Sequence, residues 1–428
     1  MKEESILIAG TGTFGVSAAY HLARSSSNPS RITLLDRGAP PSTPAASTDI
    51  NKIIRADYSD PLYMSLRFEA IEAWKSLPFF QDAGVYHQCG WIAMDKKDSD
   101  QPRIIRKNFC DSSRDDVVID MTEEEVKSRW GGLLQRTDCS PFGSYYFNPS
   151  AGWVDTGKAL AIMADEAVKM GVKYEIGEAR RIIRGEDGAH AIETDTGAVF
   201  KADKILLATG AWTGQLMSSI EDELQLPDEE RVEHQASAAG VCVAHFQLRG
   251  AEKEAYAQLP VFVYGEQGEV LPPTDSGVLK FTFATSFKNI TRTASGHEIS
   301  VPVPDQEKAP LGLQKDSINF IKPRLPQVLD DDRKPDYYRL CWDSISPDQQ
   351  PLITQHPNPS VSNLYFAIGG SFHCYKFLPI IGKYVANVIN GVSNGLQKDQ
   401  AWAWKSAHKS NRGVHETLVP TRLFREFV

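Results

Sequence analysis

Gly10-Thr11-Gly12-Thr13-Phe14-Gly15 follows the apolar run Ile6–Ala9, and Asp36 closes the next apolar run 21 residues after Gly15. Glycines so spaced between a strand and a helix allow a tight turn and let backbone approach a pyrophosphate at the helix N-terminus. Gly15 lets helix and strand pack closely, and the acid can accept hydrogen bonds from an adenosine ribose. This pattern points to a dinucleotide and does not separate FAD from NAD. Four cations and a thiol also have chemical potential. Lys52 and Arg55 are three residues apart, so a strand would point them to opposite faces. An arginine fork matches a carboxylate and a lysine adds a point charge; the plain alternative is a pair of surface cations. Alternation groups Lys280 with Val278, Thr282 and Ala284, although a strand lysine ordinarily faces water. His373, three residues before Lys376, reads equally well as a satisfied core histidine or a functional one. Cys341 stands between Leu340 and Trp342; a buried structural thiol is the commonest fate of a free cysteine, and no spacing rule ties it to a cofactor.

The elements that must hold these groups are legible in outline. Residues 5–26 read as strand, glycine turn and helix, and "RITLLDRG" as the second strand of a βαβ unit. Leu62, Leu66, Ala70 and Trp74 recur at helical spacing. "GWVDTGKALAIMADEAVKMGVKYEIG" reads as a helix, a Gly171 stop and a strand, and "ADKILLATG" as a central parallel strand. From about 226 to 334, short β-like runs broken by Pro and Gly suggest an antiparallel sheet facing a cavity. "VSNLYFAIGGS" returns to a strand and "FLPIIGKYVANVINGV" to a helix. The expectation is an α/β protein: a Rossmann-type dinucleotide domain from residues 1–85, 150–225 and 335–395, a β-rich substrate domain from 86–149 and 226–334, and an extension over 396–428.

Composition narrows the partners. The 428 residues are 41% hydrophobic and 24% charged with net charge −9, so nucleic acid and anionic membranes are not expected. No apolar run reaches the roughly 18 residues of a membrane span. Cysteines 89, 110, 139, 242, 341 and 374 form no CxxC pair. Neither a disulfide framework nor a zinc site is expected, and no metal set is evident. An acidic N-terminus without a secretory pattern, and an ending other than S-K-L, lead to the expectation of a cytoplasmic protein.

Seven segments in order, "ILIAGTGTFGVSAAYHLA", "STDINKIIRADYSDPLY", "AGWVDTGKAL", "LLATGAWTGQL", "GVLKF", "RLCW…SPDQQPLI" and "HCYKFLPIIGK", resemble the flavin amine oxidases. These comprise monomeric sarcosine oxidases, pipecolate and saccharopine oxidases, and fungal fructosyl-amino-acid oxidases. The resemblance spans nearly the whole chain and weakens after about residue 395. It implies a DAO/glutathione-reductase-like fold, FAD, a small amino acid substrate, O₂ as oxidant and peroxide as product, in a monomer. Cys341 matches the position that bonds covalently to the flavin 8α-methyl group. The resemblance extends cofactor contacts to Gly10, Gly12, Thr13, Phe14, Gly15, Asp36 and Arg37. Further contacts are expected at Ser47, Thr48, Lys52, Gly210, Trp212, Phe372 and Lys376.

Lys52 is expected near the flavin, Arg55 and Lys376 on the substrate carboxylate, and Lys280 over the ring, where it assists oxygen. Phe372 and Cys374 replace glycines that usually flank His373. Ala284 stands where fructosyl-amino-acid oxidases carry a glutamate and sarcosine oxidase a histidine, which suggests a roomier pocket. Together with Arg55, it favours a secondary amino acid such as pipecolate, saccharopine, sarcosine or a related N-alkyl amino acid. A fructosyl-amino-acid oxidase is the alternative.

Overall fold

The computed structural model describes residues 4–112, 116–185, 188–265, 267–406 and 419–428. Its nucleotide-type sheet has six strands in the spatial order Leu352–Gln355, Leu364–Ile368, Lys204–Leu207, Ile6–Ala9, Ile32–Asp36 and Lys173–Ile176. Neighbours run parallel except for the Leu352–Gln355 edge strand. The central strands are short apolar runs because helices and a second layer cover both faces. Helix Thr13–Ser25 packs against Thr156–Lys169 and Ile381–Ile389 on one side, and helix Thr213–Glu223 belongs to the core on the other. The sheet therefore draws its strands from three well-separated stretches of chain.

The second large sheet has nine strands, whose main path runs Tyr337–Ile345, Ser237–Gln247, Val278–Lys288, Gly268–Leu271, Val261–Tyr264, Trp91–Lys96, Phe142–Asn148 and Ile119–Met121. It differs from the all-antiparallel expectation. Val261–Tyr264 runs parallel to Trp91–Lys96, and the short Arg422–Leu423 strand adds in parallel to Phe287 and Lys288. The chain enters the sheet from two distant segments, so no hairpin sets the direction of that first pairing. Cross-strand register places Val263, Glu269, Thr282, Val243 and Arg339 in one row. Directly opposed residues share a face, as do residues two apart on a strand, so Lys280 and Cys341 lie on this same face.

The apolar repeat around Leu62 and Trp74 forms helix Pro61–Ser76, capped by the Asp60 carboxylate on the Leu62 N–H, and Pro78 starts a separate short helix. A three-stranded sheet over 179–201 was not evident in the sequence. The stretch expected as a C-terminal extension contributes helix Leu396–Trp402 and buries Phe427 beside Trp342, while residues 407–418 fall outside the described residues. Among the described residues no helix is long and apolar enough to cross a membrane.

Candidate active site

Two adjoining cavities lie where the sheets meet, and they share Lys52, Phe372 and Tyr375 as a common wall. The first spans about 1280 Å³, including space open to solvent, and is lined by the glycine turn, Asp36, Arg37, Ser47, Gly210 and Trp212, among others. Its floor depends on the absence of side chains. A Cβ on Gly10, whose φ is +95°, would stand 2.4 Å from the Ala208 carbonyl oxygen, and one on Gly15 would stand 1.8 Å from the Gly10 carbonyl oxygen. Gly15 does its work behind the cavity, by close packing, while Gly10, Gly12, Thr13 and Phe14 face the space. Among the described residues no side chain caps the N-terminus of helix Thr13–Ser25, and the buried Ser47 hydroxyl has no hydrogen-bond partner. Unpaired donors beside a glycine turn suit a phosphate. The Arg37 guanidinium lies 4.6 Å from the Trp212 ring centre and 3.6 Å from Glu178.

Three expected contacts differ in detail, one of them Lys376, which lines only the second cavity. Asp36 already accepts from the Thr11 N–H (2.6 Å) and hydroxyl (2.7 Å), the Arg37 N–H (2.7 Å) and the Ser42 hydroxyl (2.8 Å). It braces the glycine turn as well as lining the cavity. Thr48 does not line it. The Thr48 hydroxyl donates to the Ala45 carbonyl at 2.7 Å and accepts from Arg339, because the residue closes a tight turn.

The second cavity, about 960 Å³, gathers Cys341, Lys52, Arg55, Ala284, His373 and Lys376. Lys52 and Arg55 both line it, contrary to the opposite faces expected of a strand. The strand ends at Ile54, so Arg55 lies beyond its alternation. The Arg55 guanidinium lies 4.5 Å from the Trp91 ring centre and 5.0 Å from that of Tyr58, and it donates to the Asp57 carbonyl. Lys376 donates to the Tyr58 hydroxyl at 2.9 Å. Burial, reinforced by Arg55 and Arg67, holds the Lys376 ammonium well below its usual pKa. Among the described residues neither Arg55 nor Lys376 has a carboxylate within ion-pair distance. Asp57 and Glu269 lie near enough for their charges to be felt at Arg55 and Lys376 respectively, but neither is in ion-pair contact, so the two adjacent buried basic groups keep hydrogen-bonding capacity for an anion.

Arg67 holds this pair together. Its Nε donates to the Arg55 carbonyl and its Nη1 to the Lys376 carbonyl at 3.3 Å, which Trp74 Nε1 also reaches at 2.9 Å. His373 is fully engaged. Its Nε2 lies 2.9 Å from the Gln349 carbonyl, which can only accept, so Nδ1 is left to accept from the Tyr58 hydroxyl at 3.2 Å. The Tyr58 hydroxyl thus links Lys376 to His373.

Lys280 does not line the cavity. It is 1% exposed and its ammonium is held by Asp49 Oδ2 at 2.8 Å and by the Asn51 carbonyl. Asp49 is the centre of a buried charge cluster, with Lys52 at 3.8 Å and Arg339 at 3.7 Å. Burial would raise the Asp49 pKa, but Lys280, Lys52 and Arg339 together drive it far below the usual carboxylate range. Burial pushes the Cys341 thiol up, and Lys52 and Arg339 oppose it. Phe372 lines both cavities with φ +59°, its N–H donating to Asp343 at 2.8 Å, while Cys374 lines the first.

Sequence reasoning missed Asp49, Tyr58, Arg67 and Glu269. Asp49 and Tyr58 lie within the "STDINKIIRADYSDPLY" segment and could have been marked by that position; Arg67 and Glu269 carry no comparable local signal. Among the described residues no group of three His, Cys, Asp or Glu side chains is placed to hold a metal.

An elongated dinucleotide fits these residues. The open glycine turn and the orphan Ser47 hydroxyl suit its phosphates, and the shared wall beside Cys341 and Lys52 suits its far end. The chain belongs to the FAD dependent oxidoreductase family, whose model matches residues 5–388. It is thus an FAD-dependent oxidoreductase, and the resemblance to flavin amine oxidases holds. It is 28% identical to the L-saccharopine oxidase of Schizosaccharomyces pombe over 95% of this chain and 94% of that one. It is 22% identical to the human peroxisomal sarcosine oxidase, over 88% and 90% respectively. Among solved structures it is similar to the deglycating fructosamine oxidase Amadoriase II of Aspergillus fumigatus, with 26% identity, TM-score 0.82 and coverage of 98% and 93%. It also resembles the fructosyl peptide oxidase of E. terrenum, with 25% identity, TM-score 0.82 and coverage of 100% and 97%.

Proposed function

We propose that this protein oxidises the C–N bond of a secondary amino acid, such as pipecolate, saccharopine, sarcosine or a related N-alkyl amino acid, to an imine, with O₂ reduced to H₂O₂. The observation that carries this reading is the pair of buried basic groups, Arg55 and Lys376, with no carboxylate in ion-pair contact among the described residues, beside the wall shared by the two cavities. They take the substrate carboxylate: Arg55 by its fork, and Lys376 as a point charge. Arg67 keeps the two at fixed separation, so the carboxylate orients the rest of the substrate. FAD, held from the glycine turn to the shared wall, supplies the two-electron acceptor through which O₂ is reduced. Asp36 would take a ribose hydroxyl, and Cys341 would hold the ring covalently through its sulfur, a two-electron oxidation for which the flavin itself, reoxidised by O₂, would be the acceptor. Lys280 and Lys52, joined through Asp49, keep positive charge beside the ring, where oxygen gains electrons. The enzyme acts as a monomer.

The likeness to fructosamine and fructosyl peptide oxidase structures favours a second reading, oxidation of glycated amino acids. Ala284, a small residue in the cavity wall, speaks against it, because the resemblance expects a glutamate there.

Peroxide release from a panel of secondary amino acids, fructosyl amino acids and their decarboxylated counterparts tests both readings. Secondary amino acids are expected to react and decarboxylated amines to react poorly. Arg55→Ala should raise KM for the acid by about 10- to 150-fold, equivalent to about 1.5–3 kcal/mol of charge-assisted bonding. Equal effects on acid and decarboxylated amine make Arg55 structural and overturn the carboxylate clamp.

A further inference from the structure

The substrate cavity carries one acid whose role the oxidation does not use. Glu269 lines it, on the short strand Gly268–Leu271. Its strand position is set: Val263 faces it on one side and Thr282 on the other, and both also line the cavity. The strand alternation therefore points the side chain of Glu269 inward with Thr282, toward the wall that holds Arg55 and Lys376. Strand Gly268–Leu271 also packs against Asn51–Ile54, the strand leading to Arg55.

The carboxylate is half-buried, and among the described residues it has no hydrogen bond or ion pair. Near it are Lys52 and Lys376, both of which feel its charge, yet each is engaged elsewhere: Lys52 with Asp49 at 3.8 Å and Lys376 with Tyr58 at 2.9 Å. Lys52 and Lys376 thus act on it only at longer range, and a partly desolvated carboxylate without a hydrogen-bond donor gains from a ligand that supplies one. Its neighbours on this wall, Val263, Thr282 and Ala284, are small or uncharged, so they leave room beside the carboxylate. The cavity thus has a cationic end and an anionic wall.

Resting on the oxidase reading above, we infer that Glu269 is a specificity residue that binds a second positive charge, an ammonium or guanidinium, carried by the substrate away from its reacting nitrogen. The preferred substrate is then an amino acid whose carboxylate meets Arg55 and Lys376 and whose N-substituent ends in a cation facing Glu269. A charge-assisted hydrogen bond of this kind discriminates by about 10- to 100-fold against a neutral analogue.

A matched pair of probes tests this: N-(4-aminobutyl)glycine and N-pentylglycine, of equal length and differing in the terminal charge. Holoenzyme should show kcat/KM about 10- to 100-fold higher for the cationic member. In Glu269→Gln, which keeps the shape, that ratio should fall to near 1, and Glu269→Lys should prefer N-(4-carboxybutyl)glycine, a third probe, over N-(4-aminobutyl)glycine. Flavin absorbance and thermal melting establish that each variant is folded. A ratio near 1 in the parent, or one unchanged in Glu269→Gln, overturns the assignment. Equal losses for both probes place Glu269 at the reacting amine or in the fold and overturn it too. Absence of peroxide from both probes and from every other secondary amino acid is the different failure, that of the oxidase reading itself.

Discussion

A buried ammonium needs an anion, and that need governs the behaviour of Lys280. Its partner Asp49 is 3% exposed and also lies within 4 Å of Lys52 and Arg339. Three cations against one buried carboxylate leave the cluster with excess positive charge, suited to a place where oxygen acquires negative charge. Lys280→Met should therefore slow reoxidation of reduced enzyme in air by about 10²-fold or more, while anaerobic reduction by substrate changes modestly. Stopped-flow traces separate the two steps; slow reduction with normal reoxidation would move the oxygen site away from Lys280. The variant should also unfold more easily. Breaking a buried pair costs roughly 3–5 kcal/mol, and here the loss should lie at the low end because Asp49 keeps Lys52 and Arg339.

Among elements, the unit of strand Ile6–Ala9, glycine turn and helix Thr13–Ser25 sets where the cofactor can sit. The Gly10 N–H donates to the Leu35 carbonyl at 2.9 Å, and Asp36 bonds back to Thr11, so the second strand clamps the turn from beneath. Helix and strand approach so closely at Gly15 that a methyl group has no space. Gly15→Ala must push the helix N-terminus outward. The expected outcome is a several-fold lower flavin content and a loss of stability of at least the roughly 1–3 kcal/mol typical of overpacking. Gly38→Ala is the control, since a Cβ there meets nothing within 4 Å. Flavin absorbance per protein and thermal melting measure both; equal behaviour of the two variants would remove the steric explanation.

At the scale of the whole molecule, the cofactor cavity is built from both large sheets. The six-stranded sheet provides the glycine turn, and the nine-stranded sheet provides Trp342 and Asp343 on Tyr337–Ile345, with Cys341 of the same strand in the adjoining second cavity. A covalent bond from Cys341 to FAD would therefore tie the two halves through the cofactor. Acid-precipitated protein should stay yellow, and Cys341→Ser should release its FAD to the supernatant on denaturation. The Ser variant should also melt at a temperature that rises with added FAD, as expected when a ligand binds only the native state. Complete loss of colour from the precipitated parent protein would rule out the tether.

What could be read along the chain was whatever local stereochemistry enforces. The glycine turn with its flanking strand and helix, the terminal acid Asp36, and the helix over Leu62–Trp74 follow from backbone sterics and from a 3.6- or 2-residue period. Each signal lies within about 30 residues. Alternation also placed Lys280 and Thr282 on one face, as the register has them. Arg55, Lys376 and Cys341 gained their expected roles only through the resemblance, since each alone reads as a surface cation or a core thiol. Tertiary structure decided the rest. Lys280 meets Asp49 across 231 residues, Lys376 meets Tyr58 across 318, and Arg67 reaches the Lys376 carbonyl across 309. Nothing in the local pattern distinguishes these charges from solvated ones. Their function comes from desolvation and from which partners burial allows, and both are properties of the packed cavity rather than of any segment of chain.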